Sequence, residues 1–235
     1  VTNITEGDTV KYSTDGGENW STTNPAFIDA GEYTVKVKVE NPNYEDRLGE
    51  GTVTITKKAA VITVDNKTKV YGETDPTFTG TIAGLVGEND LGTVAYSRTN
   101  ASENNAGIYT GVIDAACTTN SNYTVTVNKG DFEITKATGA ELQITNYEGI
   151  YNGEAHSIII TNIIEGDTVK YSTDGGVNWS TTNPVYTNPG EYTIKIKVEN
   201  LNYEDRFGEG IVTITRRSSG RGVPKPHQPI LERVV

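Results

Sequence analysis

Gly190-Glu191-Tyr192-Thr193-Ile194-Lys195-Ile196-Lys197-Val198 decides the fold class, because its polarity changes with a period of two. Ile194, Ile196 and Val198 point to one side of an extended chain, and Lys195 and Lys197 to the other. A strand of this kind belongs to a sheet with one dry face and one wet face, as in antiparallel sheets. The same pattern stands earlier, with Val35, Val37 and Val39 alternating with Lys36 and Lys38. Val53/Ile55, Val125/Val127 and Phe132/Ile134 alternate in shorter runs. No stretch of 11 or more residues carries a helical apolar stripe. Turn signals such as Asp15-Gly16-Gly17, Asn24-Pro25, Asn41-Pro42 and Tyr71-Gly72 punctuate the chain at the spacing of a sandwich or barrel. The chain also holds 35 Thr, suited to a half-exposed pleated surface, and 21 Asn, suited to turns. These features predict an all-β protein built of small immunoglobulin-like sandwiches. A β-grasp is the alternative, and it requires a helix that the pattern does not supply.

Repetition sets the organisation. Residues 1–56 align without gaps on residues 160–215, with 43 identities in 56 positions. The differences include Val35/Ile194, Val37/Ile196, Phe27/Tyr186 and Leu48/Phe207, which keep an apolar position apolar. A divergent third unit lies between them and shares a skeleton. Its parts are Gly-x-Tyr-Thr (Tyr33, Tyr109, Tyr192), then Asn-Tyr (Tyr44, Tyr123, Tyr203), then a strand ending in Ile-Thr-basic. The second Tyr precedes the final Thr by 12 residues in every unit. The expected domains are therefore 1–57, 58–136 and 137–216, joined by links too short for free swivelling. The first is expected to lack its opening strand, since nothing in it matches residues 141–159. That gap and the lack of any Met suggest a piece of a longer array. The Gly-x-Tyr-Thr tyrosines are candidates for tyrosine corners, with a half-buried strand Tyr as the simpler reading.

Composition excludes several function classes. The net charge of -11 argues against nucleic-acid binding, which needs a basic footprint. One Cys, Cys117, forbids an internal disulfide and a Cys-based zinc site, and two His, His156 and His227, forbid a His-rich one. No apolar run reaches the ~18 residues of a membrane helix. No phosphate-cradling glycine loop is present. Cys117 reads as a structural thiol and His156 as turn surface.

The sharpest motif is Ser13-x-Asp15-x-Gly17-x-x-Trp20, repeated as Ser172-x-Asp174-x-Gly176-x-x-Trp179. It resembles the Asp box of sialidases and other propeller proteins. In such a hairpin Asp accepts from turn amides, Gly supplies positive φ and Trp folds back over the turn. The resemblance implies a structural hairpin, since that box lies away from the active centre in the families that carry it. Trp20 and Trp179 are at the same time the candidate ligand contacts, as aromatic faces for a sugar. The acidic groups Glu45-Asp46 with Glu50, and Glu204-Asp205 with Glu209, read as solvated surface. As alternatives they offer the carboxylate pair of a glycoside hydrolase, or oxygen ligands for Ca²⁺ without EF-hand spacing. Asn66-Lys67-Thr68 and Asn122-Tyr123-Thr124 are sequons that matter only in a eukaryotic secretory setting.

Two further groups of residues carry a family resemblance. Ile62-Thr63-Val64, Lys69 to Pro76 with Tyr71-Gly72, Gly84-Leu85-Val86 and Asn105-Ala106-Gly107-Ile108-Tyr109 resemble the MBG domain of the Tyr-Gly-x type. Tyr151 to His156, Tyr171 to Gly176 and Pro189 to Thr193 resemble a related bacterial Ig-like surface repeat. The resemblance covers about residues 1–216. It implies secretion, display at the cell surface or wall, and tandem arrays, and no enzymatic role is usual for it. No cofactor or metal site is expected. The expectation is a non-catalytic stalk of an adhesin-like protein, touching its own neighbouring domains. A module binding host glycan, mucin or matrix protein is the alternative. Residues 217–235, basic and Pro-containing, depart from this pattern and read as a disordered tail.

Overall fold

The computed structural model describes residues 1–119 and 121–218. All of its regular elements are β-strands, and no helix occurs among the described residues. The protein is all-β, with two β-sandwich modules, one in residues 58–135 and one in the second unit, each with its own buried core. The chain divides into two compact units, Val1–Thr135 and Lys136–Val235. From residue 219 on, the expected tail lies outside the described residues.

The first unit opens with three strands, β1 (Thr9–Ser13), β2 (Gly31–Asn41) and β3 (Tyr44–Ile55), in an antiparallel sheet of that order. Val35 pairs with Gly51, Val37 with Gly49 and Tyr33 with Val53, so one face carries valines and glycines. The opposite face carries Lys36 and Lys38 opposite Glu50 and Leu48.

The unit continues with β4 (Lys58–Val64), β5 (Lys67–Val70), β6 (Gly80–Ala83), β7 (Val94–Arg98), β8 (Gly107–Cys117), β9 (Tyr123–Asn128) and β10 (Gly130–Thr135). These form two sheets, β5-β10-β8-β7 and β6-β4-β9. Ala60, Ile62 and Val64 from β4 meet Ile113, Phe132 and Ile134 from the other sheet in one buried cluster with Leu91 and Tyr123. Cys117 is half-buried at its margin. Each such large side chain contributes about 1.5–3 kcal/mol by leaving water.

The second unit holds β11 (Gln143–Thr145), β12 (Tyr147–Ile150), β13 (Ile159–Thr161), β14 (Thr168–Ser172), β15 (Gly190–Glu199) and β16 (Arg206–Thr215). Its sheets are β12-β16-β15-β14 and the pair β11-β13. Ile158, Ile194, Ile196, Val198, Val212 and Ile214 form its buried core, with Leu142, Ile144 and Ile160 packed on it. Residues 141–159 supply β11, β12 and the start of β13.

Two sequence readings need refinement. The sheets are not purely antiparallel, since β4 with β9, β5 with β10 and β12 with β16 run parallel. Alternating polarity reports which face is dry, not the direction of the neighbouring strand. The Gly-x-Tyr-Thr tyrosines are corners in all three places. Tyr33 Oη donates to Asp29 O (2.9 Å), Tyr109 Oη to Asn105 O (2.8 Å) and Tyr192 Oη to Asn188 O (3.1 Å).

Candidate functional site

The two Asp-turn hairpins form near-identical sites. Each begins where a strand of the antiparallel ladder stops, at Ser13 in β1 and Ser172 in β14. Ser13 Oγ donates to Asp15 Oδ1 (2.6 Å) and accepts from the Gly17 amide (2.9 Å). Asp15 Oδ1 also accepts from the amides of Glu18 (3.1 Å) and Asn19 (3.0 Å), and Oδ2 accepts from Asn19 Nδ2 (2.7 Å). In the other hairpin Ser172 Oγ donates to Asp174 Oδ1 (2.7 Å) and accepts from Gly176 N (2.9 Å). Asp174 Oδ1 accepts from Val177 N (3.1 Å) and Asn178 N (2.9 Å), and Oδ2 from Asn178 Nδ2 (2.6 Å).

The turn needs glycine at Gly17 and Gly176, whose φ values of +98° and +100° are left-handed. The indoles of Trp20 and Trp179 lie over these glycines. In each case the ring's Cζ2 stands 3.5 Å from where a Cβ would be. Trp179 nevertheless keeps 36% of its surface exposed, and Trp20 is half-buried.

These bonds fix the chemistry of the carboxylates. Asp15 is held well below the usual carboxylate range, first by the Ser13 hydroxyl and then by the Asn19 amide. Asp174 is held down first by the Asn178 amide and then by Ser172. An acid that stays ionised while its oxygens accept from its own turn is poorly suited to proton transfer. It is well suited to pinning a loop.

Beside each turn lies a shallow groove. The first, about 360 Å³, is lined by Tyr12, Asn19, Trp20, Thr23 and Pro25 among others. The second, about 300 Å³, is lined by Tyr171, Asn178, Trp179, Thr182 and Pro184 among others. Each joins an indole and a phenol to amide and hydroxyl groups, the mixture that suits a ring with an apolar face and a polar rim.

The other candidates take different places. Asp46 and Asp205 pair with Lys38 (3.0 Å) and Lys197 (3.1 Å) on the wet face of their sheets. Among the described residues, no three His, Cys, Asp or Glu side chains gather as a metal ion would require. His156 is not a bare turn residue. It stacks on Tyr147 with ring centroids 3.9 Å apart, and its Nε2 lies 3.0 Å from Tyr147 Oη and from Asn152 Oδ1. Asn122 Oδ1 accepts from Ala30 N (2.7 Å), and its Nδ2 donates to Asp29 Oδ1 (2.8 Å). That sequon amide is thus engaged within the first unit.

Sequence reasoning missed the buried arginines. Arg98, with a side chain 2% exposed, bonds Asp75 through Nε (2.8 Å) and Nη2 (3.2 Å) and lies over the Phe132 ring. Arg206 bonds Asp167, Ala140 O (3.1 Å) and Asn162 O (2.8 Å). The available signal was that residues 1–56 and 160–215 each hold a single Arg, Arg47 and Arg206.

The sequence profile described as the MBG domain matches residues 1–59 and 140–218, and that of the MBG domain of YGX type matches residues 60–133. No curated protein sequence is significantly similar. Among solved structures, the chain is similar to Sidekick-1 immunoglobulin domains 1–4, at 14% identity and a TM-score of 0.24, over 91% of this chain and 68% of that one. It is similar to the human desmocollin-1 ectodomain at 11% and 0.26, over 89% and 54%. It is also similar to the protocadherin gamma-B4 extracellular domain at 9% and 0.32, over 92% and 44%. The chain spans only part of each of these, and superpositions so loose carry no functional weight. No helix among the described residues is long and apolar enough to cross a membrane.

Proposed function

We propose, from the premise that this chain belongs to the MBG domain family, that it is a non-catalytic stalk segment of an extracellular, bacterial, adhesin-like surface protein. The observation that supports this reading best is the repeated hairpin, in which the conspicuous acid of each repeat accepts from its own turn. A segment whose polar motifs serve its own loops, and which recurs with 43 of 56 residues unchanged, suits a spacer built by adding units. In this reading the units are residues 1–57, 58–136 and 137–216. Their partners are their neighbours in the same surface protein. Antibodies raised against residues 137–216 should label intact producing cells, and labelling only after permeabilisation would overturn the reading.

The two grooves favour a second reading, a module that holds host glycan, mucin or matrix protein. The half-exposed indole of Trp179 and the neighbouring Asn178 amide supply the stacking face and the polar rim. Glycan-array and mucin binding by the intact chain, lost in the Trp20→Ala/Trp179→Ala double variant with its β-sheet circular dichroism unchanged, would favour this reading. A blank array leaves the spacer.

A further inference from the structure

Lys69 is an unexpected side chain in the module of residues 58–135. It stands in β5, paired in register with Ile134 of β10, yet its side chain is only 7% exposed. A lysine ordinarily keeps its ammonium in water. Here Nζ lies over the Phe132 ring, 6.0 Å from the centroid. The strand itself does not require an amine at this place. In the second unit the residue paired with Ile214, the counterpart of Ile134, is Gly149.

Four chemically different groups meet around that nitrogen. Lys69 Nζ is 2.8 Å from Asp75 Oδ1 and 3.5 Å from Asn104 Oδ1. Arg98, whose side chain is 2% exposed, donates from Nη2 to the same Asn104 oxygen (3.2 Å) and to Asp75 Oδ1 (3.2 Å). Its Nε donates to Asp75 Oδ2 (2.8 Å). Asn104 Nδ2 donates to Ser102 O (3.4 Å). Asn104 thus presents its carbonyl oxygen to both cations, while its nitrogen is held by a backbone carbonyl.

The charges in this cluster do not balance. Two cations share one carboxylate, and both cationic side chains are almost out of the water. A surplus charge in such a place is costly. Loss of a proton from Lys69 removes the surplus. It also leaves a primary amine beside a carboxamide whose carbonyl a guanidinium already polarises, in contact before any reaction begins.

We propose that Lys69 and Asn104 condense into an isopeptide cross-link between Nζ and Cγ. The Asp75 carboxylate takes a proton from the Lys69 ammonium, and the freed electron pair attacks Asn104 Cγ. The carbonyl π electrons move to Oδ1, where Arg98 Nη2 holds the negative charge. Asp75 returns its proton to Nδ2, the Cγ–Nδ2 bond breaks and ammonia leaves. Ammonia carries off the second proton of the attacking nitrogen, as ammonium. One ammonium and one carboxamide become one secondary amide and one ammonium ion, Asp75 is restored, and no oxidant or co-reactant is consumed. The bond ties β5 to the loop between β7 and β8. It constrains the unfolded chain as a disulfide does, in a protein whose single Cys cannot form one internally.

The test is mass spectrometry of the intact, denatured chain. It should be lighter than its sequence by one ammonia. Trypsin should fail to cut after Lys69 and should release the peptide that begins at Thr68 and ends at Arg98 joined to the peptide from Thr99 to Lys129. Lys69→Arg and Asn104→Ala, the latter at an exposed side chain, should each show the full mass of their sequence. Asp75→Asn, with its β-sheet circular dichroism retained, should lower the linked fraction by about tenfold or more. Full sequence mass in the unmodified chain, with ordinary cleavage after Lys69, would overturn the proposal and leave an ionic cluster only. An ammonia loss that persists in Asn104→Ala would also overturn it, since the loss would then lie elsewhere, as at Asn152-Gly153.

Discussion

Residues 1–56 and 160–215 differ at 13 of 56 positions, yet the same side chains live in different surroundings. Val35 and Val39 keep 8% and 6% of their surface, whereas Ile194 and Val198 keep 0% and 1%. Arg47 is 47% exposed at its side chain, and Arg206 8%. The Asp turns and tyrosine corners are unchanged between the two, and the ladder registers match except that β2 and β3 add an Asn41↔Tyr44 pair beyond a bulge. Local structure thus follows the local sequence, while the last of the burial follows what residues 141–159 pack against the second sheet. The comparison separates what a strand pattern encodes from what only a second layer can supply.

The largest expected effect is on opening. The amides of residues 194–198 should exchange at least 100-fold more slowly than those of residues 35–39 in the free chain, because only the former lie under a closed core. Equal protection would mean that the second sheet is a dispensable cover.

Removing a buried cation comes next. Arg206→Ala leaves Asp167, Ala140 O and Asn162 O without their partner and should cost about 3–5 kcal/mol in chemical denaturation. Arg47→Ala, at an exposed position, should cost far less. Similar losses at the two sites would erase the distinction drawn from exposure.

A pair of matched glycines gives a smaller and more pointed contrast. Gly210→Val should destabilise the second unit by about 1–3 kcal/mol through overpacking against Ile144 and Ile158. Gly51→Val should cost nothing or stabilise slightly, since valine suits an open strand better than glycine. Thermal melts of the two single variants suffice, and a loss at Gly51→Val would show that its face is already occupied.

The smallest expected difference concerns acid. Glu199 is lowered to about 2, first by the Lys170 ammonium and then by Lys197. Glu40 is lowered in the same way by Lys11 and then Lys38. A carboxylate held low in the folded state stabilises fully above its ordinary range, and that contribution disappears as pH falls from about 4.5 towards 2. Both networks lie on the wet face of their sheets, away from the side that β11 and β13 cover in the second unit. Glu40 and Glu199 should therefore both titrate below the ordinary carboxylate range in an NMR pH series, and a return of only one of them to that range would break the equivalence.

These contrasts show which features are legible in the sequence. The Ser-x-Asp-x-Gly turn is local, so its residues name their own partners. The tyrosine corner is equally local, reaching back four residues from Tyr33, Tyr109 and Tyr192. Period-2 runs mark β2 and β15, but they are silent on the parallel docking of β12 beside β16, whose partners lie 65 residues apart. β11 and β13 are too short for periodicity to register, at three residues each. The Arg98–Asp75 and Arg206–Asp167 pairs join residues 23 and 39 positions apart. Such pairs become visible only when strands from distant segments meet.

The parallel ladder between β12 and β16 also has a mechanical meaning. A strand near the start of the second unit and the last strand among its described residues point the same way, over four paired positions. Tension drawn through the two ends of this unit pulls them in opposite senses along their common axis. All their hydrogen bonds then carry load together, in shear, and must yield together. β5 and β10 make the same clamp in the middle of the chain. β2 and β3 are joined end to end by a tight turn and run antiparallel, so force peels them one bond at a time. Under a steady pull the modules clamped in this way keep their length.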